Sequence, residues 1–336
     1  MPGIPQRPEV AGALVPVPIQ PGNNDPVQPR QPTDLQGLLR FCMEATQSED
    51  APNESQFAAM DEEKRKWLEN ALRSMTIDVM ELLRKQIEIL QKVDKIKEGD
   101  DVSEYENAVE IILDHVDHID IACDFHKIGG FMVLYPCLKC PHPKIRAFGC
   151  ELLAVLCQHN PYCQKVVLEN EFVPKLLSMI EKDEDICVTI KALYALSAII
   201  RHCQEGFSQF IHYNGPVILL HAMSRGDDKL VTKATFLLDS LCDSQPDFKS
   251  RLVFLEYVPT LISLLSKERQ PSHEHVLRLL ARLIEENATA LTECRNPRHN
   301  LQQVLQKYIE DCGNKEECLE EVQHSKRILY LVFGLH

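Results

Sequence analysis

Paired cysteine and histidine side chains are the first residues in this sequence whose types and spacing could do chemistry. Cys137 and Cys140 form a Cys-x-x-Cys pair, and His142 follows two residues later. A structural zinc site needs four ligands, usually from a second paired motif, and none lies at a suitable spacing. A redox pair would open a helix inside a βαβ unit, and no strand pattern is present. We therefore predict loop and core cysteines and no bound metal.

The other motifs that could support catalysis are incomplete. His115 with His118, and His273 with His275, lack the His-Glu-x-x-His arrangement of a zinc hydrolase. The sequence has neither a glycine-rich phosphate loop nor a Gly-x-Ser-x-Gly elbow. We expect a protein that is not an enzyme, with no catalytic residue and no cofactor.

Composition and charge narrow the partners and the compartment. The formal net charge of −14 disfavours nucleic acid and an anionic membrane as partners, because both require a basic face. No apolar run approaches the ~20 residues that span a bilayer, and the N-terminus does not have the pattern of a signal peptide. The 13 cysteines are then interpreted as reduced thiols. We expect a cytoplasmic monomer.

The elements that must position any functional residue form an internal repeat. Four segments that begin with Gly130, Phe172, Gly215 and Tyr257 share a leucine, and successive leucines are 42, 43 and 42 residues apart. These leucines are Leu134, Leu176, Leu219 and Leu261. Such a period is typical of armadillo and HEAT repeats, whose units stack because none can bury its apolar face alone.

A second ladder runs through the helix that follows each of these leucines. It passes through Glu151, Tyr194, Phe236 and Arg278 at steps of 43, 42 and 42 residues, and Glu110 is a weaker copy. Each unit therefore reads as a short helix, a second helix after a Gly or Pro, and a longer third helix. We predict an all-α, armadillo-like helical-repeat solenoid with flanking N- and C-terminal capping helices.

The rest of the chain divides around this repeat. We predict a disordered segment over residues 1–34, which contain nine of the 20 prolines, and a short helix with a linker over 35–60. Capping helices follow over 61–100, four armadillo-like repeats over 101–297, and C-terminal capping helices, split near Gly313, over 298–336.

The third helices predict a partner-binding concave face. In an armadillo unit the third helix lines the concave side, and positions i, i+4 and i+7 share one side of a helix. The resulting face is acidic at its N-terminal end, aromatic in its middle and basic near its C-terminal end. Its candidate binding residues are Glu110, Asp114, Glu151, Tyr194, Ala198, Arg201, Phe236, Ser240, Arg278 and Arg282.

Two interpretations of these positions remain open. Aromatic residues are enriched in binding hot spots, which favours a partner-binding groove. Alternatively, the aromatic side chains pack against neighbouring helices and the charges form a solvated face. If the groove register is right, Arg278→Glu together with Arg282→Glu should weaken partner binding without unfolding the chain.

Several stretches resemble one known family. They are Leu35-Gln-Gly-Leu-Leu, Met60-Asp-Glu-Glu-Lys-Arg-Lys-Trp-Leu, Val188-Thr-Ile-Lys-Ala-Leu-Tyr-Ala-Leu-Ser, His273-Glu-His-Val-Leu and Glu293-Cys-Arg-Asn-Pro. The chain resembles, over about residues 35–310, the cytosolic nucleotide-exchange factors that bind the seventy-kilodalton heat-shock chaperone. The resemblance implies four armadillo-like repeats whose curved face holds one lobe of the chaperone's ATPase domain and weakens ADP binding.

One departure from other armadillo proteins bears on the partner. Armadillo proteins that bind extended peptides place a ladder of asparagines on the third helix. The corresponding residues here are Val155, Ala198, Ser240 and Arg282. A rigid folded partner therefore fits better than a peptide. The alternative function is an armadillo scaffold or adaptor that binds a folded protein without exchange activity.

Overall fold

The computed structural model describes residues 78–313 and 315–335, together with the isolated Glu62 and Lys66. All regular secondary structure in those ranges is helical. The proline-rich segment 1–34, the short helix and linker over 35–60, and the capping helix expected from residue 61 lie outside the described residues, apart from those two. So does most of the Met60–Leu68 match.

Two helices precede the repeats. Helix α1 (Val79–Leu90) begins at Asp78, whose side chain accepts a hydrogen bond from the Glu81 amide at 3.1 Å. The connection before α2 (Ser103–Val116) contains Gly99 at a φ of +94°, a conformation that glycine adopts readily because it has no Cβ. Helix α2 lies in the position of a third helix.

Four three-helix units follow, each in the predicted order. The short first helices are α3 (Ile119–Lys127), α6 (Pro161–Glu169), α9 (Gln204–His212) and α12 (Phe248–Phe254). The second helices are α4 (Leu134–Lys139, after a 3₁₀ turn at Gly130–Val133), α7 (Phe172–Lys182), α10 (Gly215–Ser224) and α13 (Tyr257–Leu265). The third helices are α5 (Pro143–Cys157), α8 (Ile186–Ile200), α11 (Asp228–Ser244) and α14 (His273–Ile284).

The C-terminal segment has the same plan as a repeat. It contains α15 (Ala288–Cys294), α16 (Leu301–Cys312) and α17 (Leu319–Phe333), and Gly313 separates the last two. Helices α16 and α17 are the two helices expected on either side of Gly313, and with α15 they form a fifth three-helix unit in which α17 packs on α14 as α14 packs on α11.

A turn between the first and second helices repeats with the same period. One residue before each second helix or its leading 3₁₀ turn has a left-handed φ, between +48° and +88°. These residues are Gly129, Glu171, Asn214, Glu256 and Asn300. Four of them carry a Cβ, for which this conformation is costly, so the stacked units must hold it in place. The recurrence includes the fifth unit and is an independent backbone signature of the repeat.

Side-chain volumes alternate between units at the junction of the first and second helices. Phe125 and Phe210 lie in the last turns of two first helices, and the ring of each fills the space beside Gly130 or Gly215, where an added Cβ would overlap it. In the second and fourth units the large residue is on the second helix instead. There, Val167 and Leu252 occupy the positions of the two phenylalanines, and Phe172 and Tyr257 occupy the positions of the two glycines. One large ring per junction keeps the core at a constant volume, as close packing requires.

The third helices form a continuous row. Helices α2, α5, α8, α11, α14 and α17 each contact the next member of this row. Their apolar sides, with the first and second helices behind them, form one hydrophobic cluster from Leu83 to Val332. The opposite side of the row is left to solvent, which is where the predicted face lies. No helix in the described ranges is both long and apolar enough to span a bilayer.

Candidate partner-binding face

The predicted register holds along the third helices. All ten predicted binding residues are exposed or partly exposed, whereas the leucines next to those on α5, α8, α11 and α14 are buried. Helix α11 shows the pattern clearly, because Phe236 is 46% exposed and Leu237 and Leu238 are fully buried. The ladder residues therefore point away from the core on a single face, defined here as the third-helix face.

A cavity of about 610 Å³ opens in the middle of the third-helix face. It lies where the end of α5, the start of α6, the helices α8 and α11 and the start of α14 meet, so the face is hollow at this point. The residues that line it are Gln158, His159, Pro161, Gln164, Leu193, Tyr194, Ser197, Ala198, Arg201, His202, Thr232, Lys233, Phe236 and His275. Four of the predicted residues, Tyr194, Ala198, Arg201 and Phe236, are therefore brought together in one site.

Cations lie over both aromatic rings in this cavity. The ammonium of Lys233 is 5.2 Å from the centre of the Tyr194 ring, and the guanidinium of Arg201 is 5.2 Å from the centre of the Phe236 ring. Each contact joins α11 to α8 or to the residue that ends it. The Tyr194 hydroxyl also donates to Oε1 of Gln158 at 3.0 Å, which links α8 to the end of α5. The ring faces are thus partly covered, and a contact network spans three units.

Each of the two interpretations of the aromatic residues agrees with one of the two rings. Tyr194 is half-buried and packs against the core, as expected if the aromatic side chains pack against neighbouring helices. Phe236 is exposed on the cavity wall, as the groove interpretation expects. The middle of the face therefore combines a fixed aromatic residue with an accessible one.

The two arginines near the C-terminal end are not free. Nε of Arg278 lies 3.0 Å from Oδ2 of Asp239, and Arg282 forms ion pairs with both Asp239 and Asp243. Burial lowers the pKa of Arg282, but these carboxylates outweigh burial and raise it. The expectation that both arginines could be reversed in charge without harm to the fold therefore conflicts with the structure. Sequence reasoning placed the arginines on the right side of α14 but missed buried Asp239.

Other predicted residues lie outside the cavity. Glu110 and Asp114 are exposed on α2, at the acidic N-terminal end of the face. Glu151 is half-buried and pairs with Lys191 at 2.6 Å, so its charge is compensated. Ser240 is partly exposed on α11, on the same side as Phe236.

The cysteine and histidine pairs have structural contacts. Cys137 and Cys140 are buried, and burial raises the pKa of Cys137 to about 12 and that of Cys140 in the same direction. Metal binding and redox exchange both require the thiolate, which this environment disfavours. His142 Nε2 lies 2.9 Å from the Lys97 carbonyl oxygen, and His115 Nδ1 lies 2.8 Å from that of Ile111. Within the described residues, no three His, Cys, Asp or Glu side chains are grouped to hold a metal.

Comparison with known proteins places this architecture in a family. The sequence is 30% identical to Hsp70-binding protein 1 of Mus musculus over 316 residues, which cover 91% of this chain and 87% of the relative. The chain belongs to the SIL1/FES1/HPBP1 family. The model of the SIL1/FES1/HPBP1 C-terminal domain matches residues 121–251, and that of nucleotide exchange factor Fes1 matches residues 35–125. These matches confirm the resemblance inferred from the sequence.

More distant relatives extend the comparison. The Hsp70 nucleotide exchange factor FES1 of Coccidioides immitis is 25% identical over 182 residues, covering 52% of this chain and 81% of the relative. A designed armadillo repeat protein in complex with the peptide (KR)4 superimposes with a TM-score of 0.57 at 12% identity, covering 76% of this chain and all of the designed one. This likeness confirms the armadillo-like solenoid of the SIL1/FES1/HPBP1 family member, and at such low identity it bears on the fold alone.

Proposed function

We propose that this chain is a co-chaperone that binds the ATPase domain of Hsp70 through its third-helix face and promotes ADP release. The observation that carries the proposal is the 30% identity to a protein named Hsp70-binding protein 1, which is covered over 87% of its own length. The named FES1 relative and the Fes1 family model add nucleotide exchange to Hsp70 binding. The third-helix face supplies a continuous surface, with a cavity at its centre, for a folded partner.

The mechanism requires no catalytic group on this chain. A partner changes an equilibrium between two conformations only by binding one of them more tightly. If the third-helix face fits the ATPase domain when its nucleotide cleft is open, binding stabilises the open form and weakens the hold on ADP. A stacked, fully packed row of helices suits this role, because a stiff surface does not adapt equally well to both conformations.

The chemistry of the face favours a folded partner over an extended peptide. An extended backbone needs a regular series of amide side chains to accept and donate its hydrogen bonds. At the corresponding places this chain has Val155, Ala198, Ser240 and Arg282, and Arg282 is committed to Asp239 and Asp243. The face therefore offers a central cavity and separate charges, which suit the side chains of a preformed surface.

The thermodynamic test of this function is a pair of equilibrium titrations. Linkage requires that the factor by which the chain weakens ADP binding to the ATPase domain equals the factor by which ADP weakens binding of the chain. We expect both factors to be about 5 to 150 and equal within error. Calorimetric titrations of ADP with and without the chain, and of the chain with and without ADP, measure them.

The alternative function, a scaffold or adaptor without exchange activity, makes a different prediction for the same titrations. A scaffold that binds Hsp70 outside the nucleotide cycle leaves the ADP affinity unchanged, so both factors are one. Failure to bind the ATPase domain at all contradicts the proposal itself.

The compartment and assembly state complete the proposal. We propose a cytoplasmic monomer. The cysteines within the described ranges are free thiols, and most of them are buried, which suits a reducing compartment. Analytical ultracentrifugation of the full chain tests the assembly state, and a dimer would contradict it.

A further inference from the structure

The charge of the central cavity differs from that of the chain. The protein carries a formal net charge of −14, yet the residues that line the cavity include Arg201 and Lys233 and no Asp or Glu. Three histidines, His159, His202 and His275, also line it. The cavity is therefore a cationic site in the middle of an acidic molecule.

The ion pairs on either side sharpen this contrast. On the C-terminal side, Arg278 and Arg282 are neutralised by Asp239 and Asp243. On the N-terminal side, Lys191 is neutralised by Glu151. No carboxylate within the described residues forms a salt bridge with Arg201 or Lys233. These two cations of the central cavity therefore keep an uncompensated charge.

Arg201 and Lys233 are also held in place before any ligand arrives. Each lies 5.2 Å from the centre of an aromatic ring, Arg201 over Phe236 and Lys233 over Tyr194. Nε of Arg201 is buried and has no hydrogen-bond partner among the described residues. A buried N–H of a cation without an acceptor costs free energy, so the hydrogen-bonding capacity of this guanidinium is not satisfied within the described residues.

We propose that this cavity is a carboxylate-recognition subsite that receives a short acidic segment on the surface of the folded partner. The proposal rests on the proposed function and specifies the chemistry of its contact. Arg201 and Lys233 would form ion pairs with the carboxylates of the partner, and Phe236 would cover the aliphatic part of those acidic side chains. Such partly desolvated charge pairs at the centre of an interface contribute to affinity and to the choice of partner.

The size and surroundings of the cavity favour a protein segment over other anions. A volume of about 610 Å³ admits several side chains, far more than a single phosphate or chloride ion needs. A long polyanion such as nucleic acid would extend beyond the cavity onto an acidic chain and be repelled. A folded acidic surface can place two carboxylates in the cavity and keep its other groups away.

The test compares two double variants that remove equal charge. Arg201→Gln with Lys233→Gln removes the two cavity cations. Arg251→Gln with Lys267→Gln removes two exposed cations, one on the first helix of the fourth unit and one in the loop after its second helix. We expect the cavity variant to bind the Hsp70 ATPase domain about tenfold or more weakly, with a smaller salt dependence, and the control to stay within about twofold. Circular dichroism melts establish that both variants fold.

A second probe separates this subsite from the proposed function. Tetraglutamate and tetraglutamine peptides are titrated into the full chain and followed by NMR chemical shifts. We expect tetraglutamate alone to bind, and the cavity variant to lose that binding. If the wild-type chain fails to bind the ATPase domain, the proposed function fails, and the peptide titration alone decides on the subsite. If the wild-type chain binds the ATPase domain, equal affinity of the cavity variant and the control for that domain overturns the subsite. If the wild-type chain does not bind it, equal responses to the two peptides overturn the subsite.

Discussion

Nε of Arg278 lies 3.0 Å from Oδ2 of Asp239, a carboxylate that is only 5% exposed. Arg282 pairs with the same carboxylate and with exposed Asp243. These contacts join α14 to α11 across the boundary between the third and fourth units. Asp239 is buried only because two guanidinium groups compensate its charge, so the arginines are part of the fold as well as of the third-helix face.

Charge reversal at these arginines should therefore destabilise the protein. Arg278→Glu with Arg282→Glu would leave buried Asp239 beside two further carboxylates. We expect the free energy of unfolding to fall by about 3 kcal/mol or more. Urea unfolding followed by circular dichroism measures the change.

The matched control for this reversal is Arg251→Glu with Lys267→Glu. Both residues are exposed and form no salt bridge with a described residue, so we expect a change within about 1 kcal/mol. A wild-type urea midpoint for the Arg278 and Arg282 variant would show that the ion pairs are not structural.

The sequence could place Arg278 and Arg282 but not their partners. Helical spacing fixes the direction of a side chain relative to its own helix, so the residues predicted on α2, α5, α8, α11 and α14 are all exposed or partly exposed. Asp239 follows two buried leucines in α11 and has no periodic signal of its own. Its contact depends on the offset between α11 and α14, which is set by packing between units and is not contained in the period.

Leu219 tests the core that supports the third-helix face. It is one of the four ladder leucines, lies on α10 and is fully buried. Leu219→Ala removes apolar contacts and leaves a cavity, so we expect a loss of about 2–5 kcal/mol in the free energy of unfolding. Leu319→Ala is the control, because Leu319 is 50% exposed, and it should cost about 0.5 kcal/mol or less. Equal losses for the two variants would place Leu219 outside the core.

Gly215 and Phe210 should be energetically coupled. An added Cβ at Gly215 would overlap the Phe210 ring, so we expect Gly215→Ala to destabilise the chain by about 1–3 kcal/mol. Phe210→Leu replaces the ring by a smaller side chain, so Gly215→Ala should destabilise the Phe210→Leu variant less than it destabilises the wild type. A double-mutant cycle measured by urea unfolding should give a favourable interaction energy of about 0.5 kcal/mol or more. Simple additivity of the two losses would contradict the packing described here.

Stability should fall on mild acidification because His273 is buried. Burial lowers its pKa from the ordinary 6.5, although Glu321 and Asp228 act in the opposite direction and Arg269 and Lys267 add to the lowering. Its Nδ1 is also hydrogen-bonded with the Tyr308 hydroxyl. The unfolded chain therefore binds the proton more readily, and the free energy of unfolding decreases as pH falls through 6.5 toward the lower pKa of the folded state.

The variant His273→Gln isolates this effect. Urea midpoints measured between about pH 7 and pH 5 should fall less in the variant than in the wild type, because its residue 273 cannot be protonated. Some decline should remain, since burial also lowers the pKa of His324. His221→Gln, at an exposed histidine, is the control and should follow the wild type. An unchanged decline in His273→Gln would exclude His273 as a source.

The repeat was readable from sequence because buried leucines recur at a nearly constant interval. The fifth unit was not, because its spacing differs. From Leu279 on α14 to Ile328 on α17 the interval is 49 residues, since α16 is longer than the other second helices and a connection around Gly313 follows it. The central cavity was only partly predictable. Tyr194 and Phe236 belong to the ladder, but Lys233 and Gln164 reach the cavity from positions outside it.

The most direct measurement of the central claim is the rate at which labelled ADP leaves Hsp70 in a stopped-flow experiment. We expect the wild-type chain to accelerate release, and Phe236→Ala to reduce that acceleration at subsaturating concentration, because Phe236 is an accessible aromatic residue at the centre of the third-helix face. Phe254→Ala, at an 84% exposed phenylalanine that ends a first helix, should accelerate release like the wild type. An unchanged release rate with the wild-type chain would contradict the account.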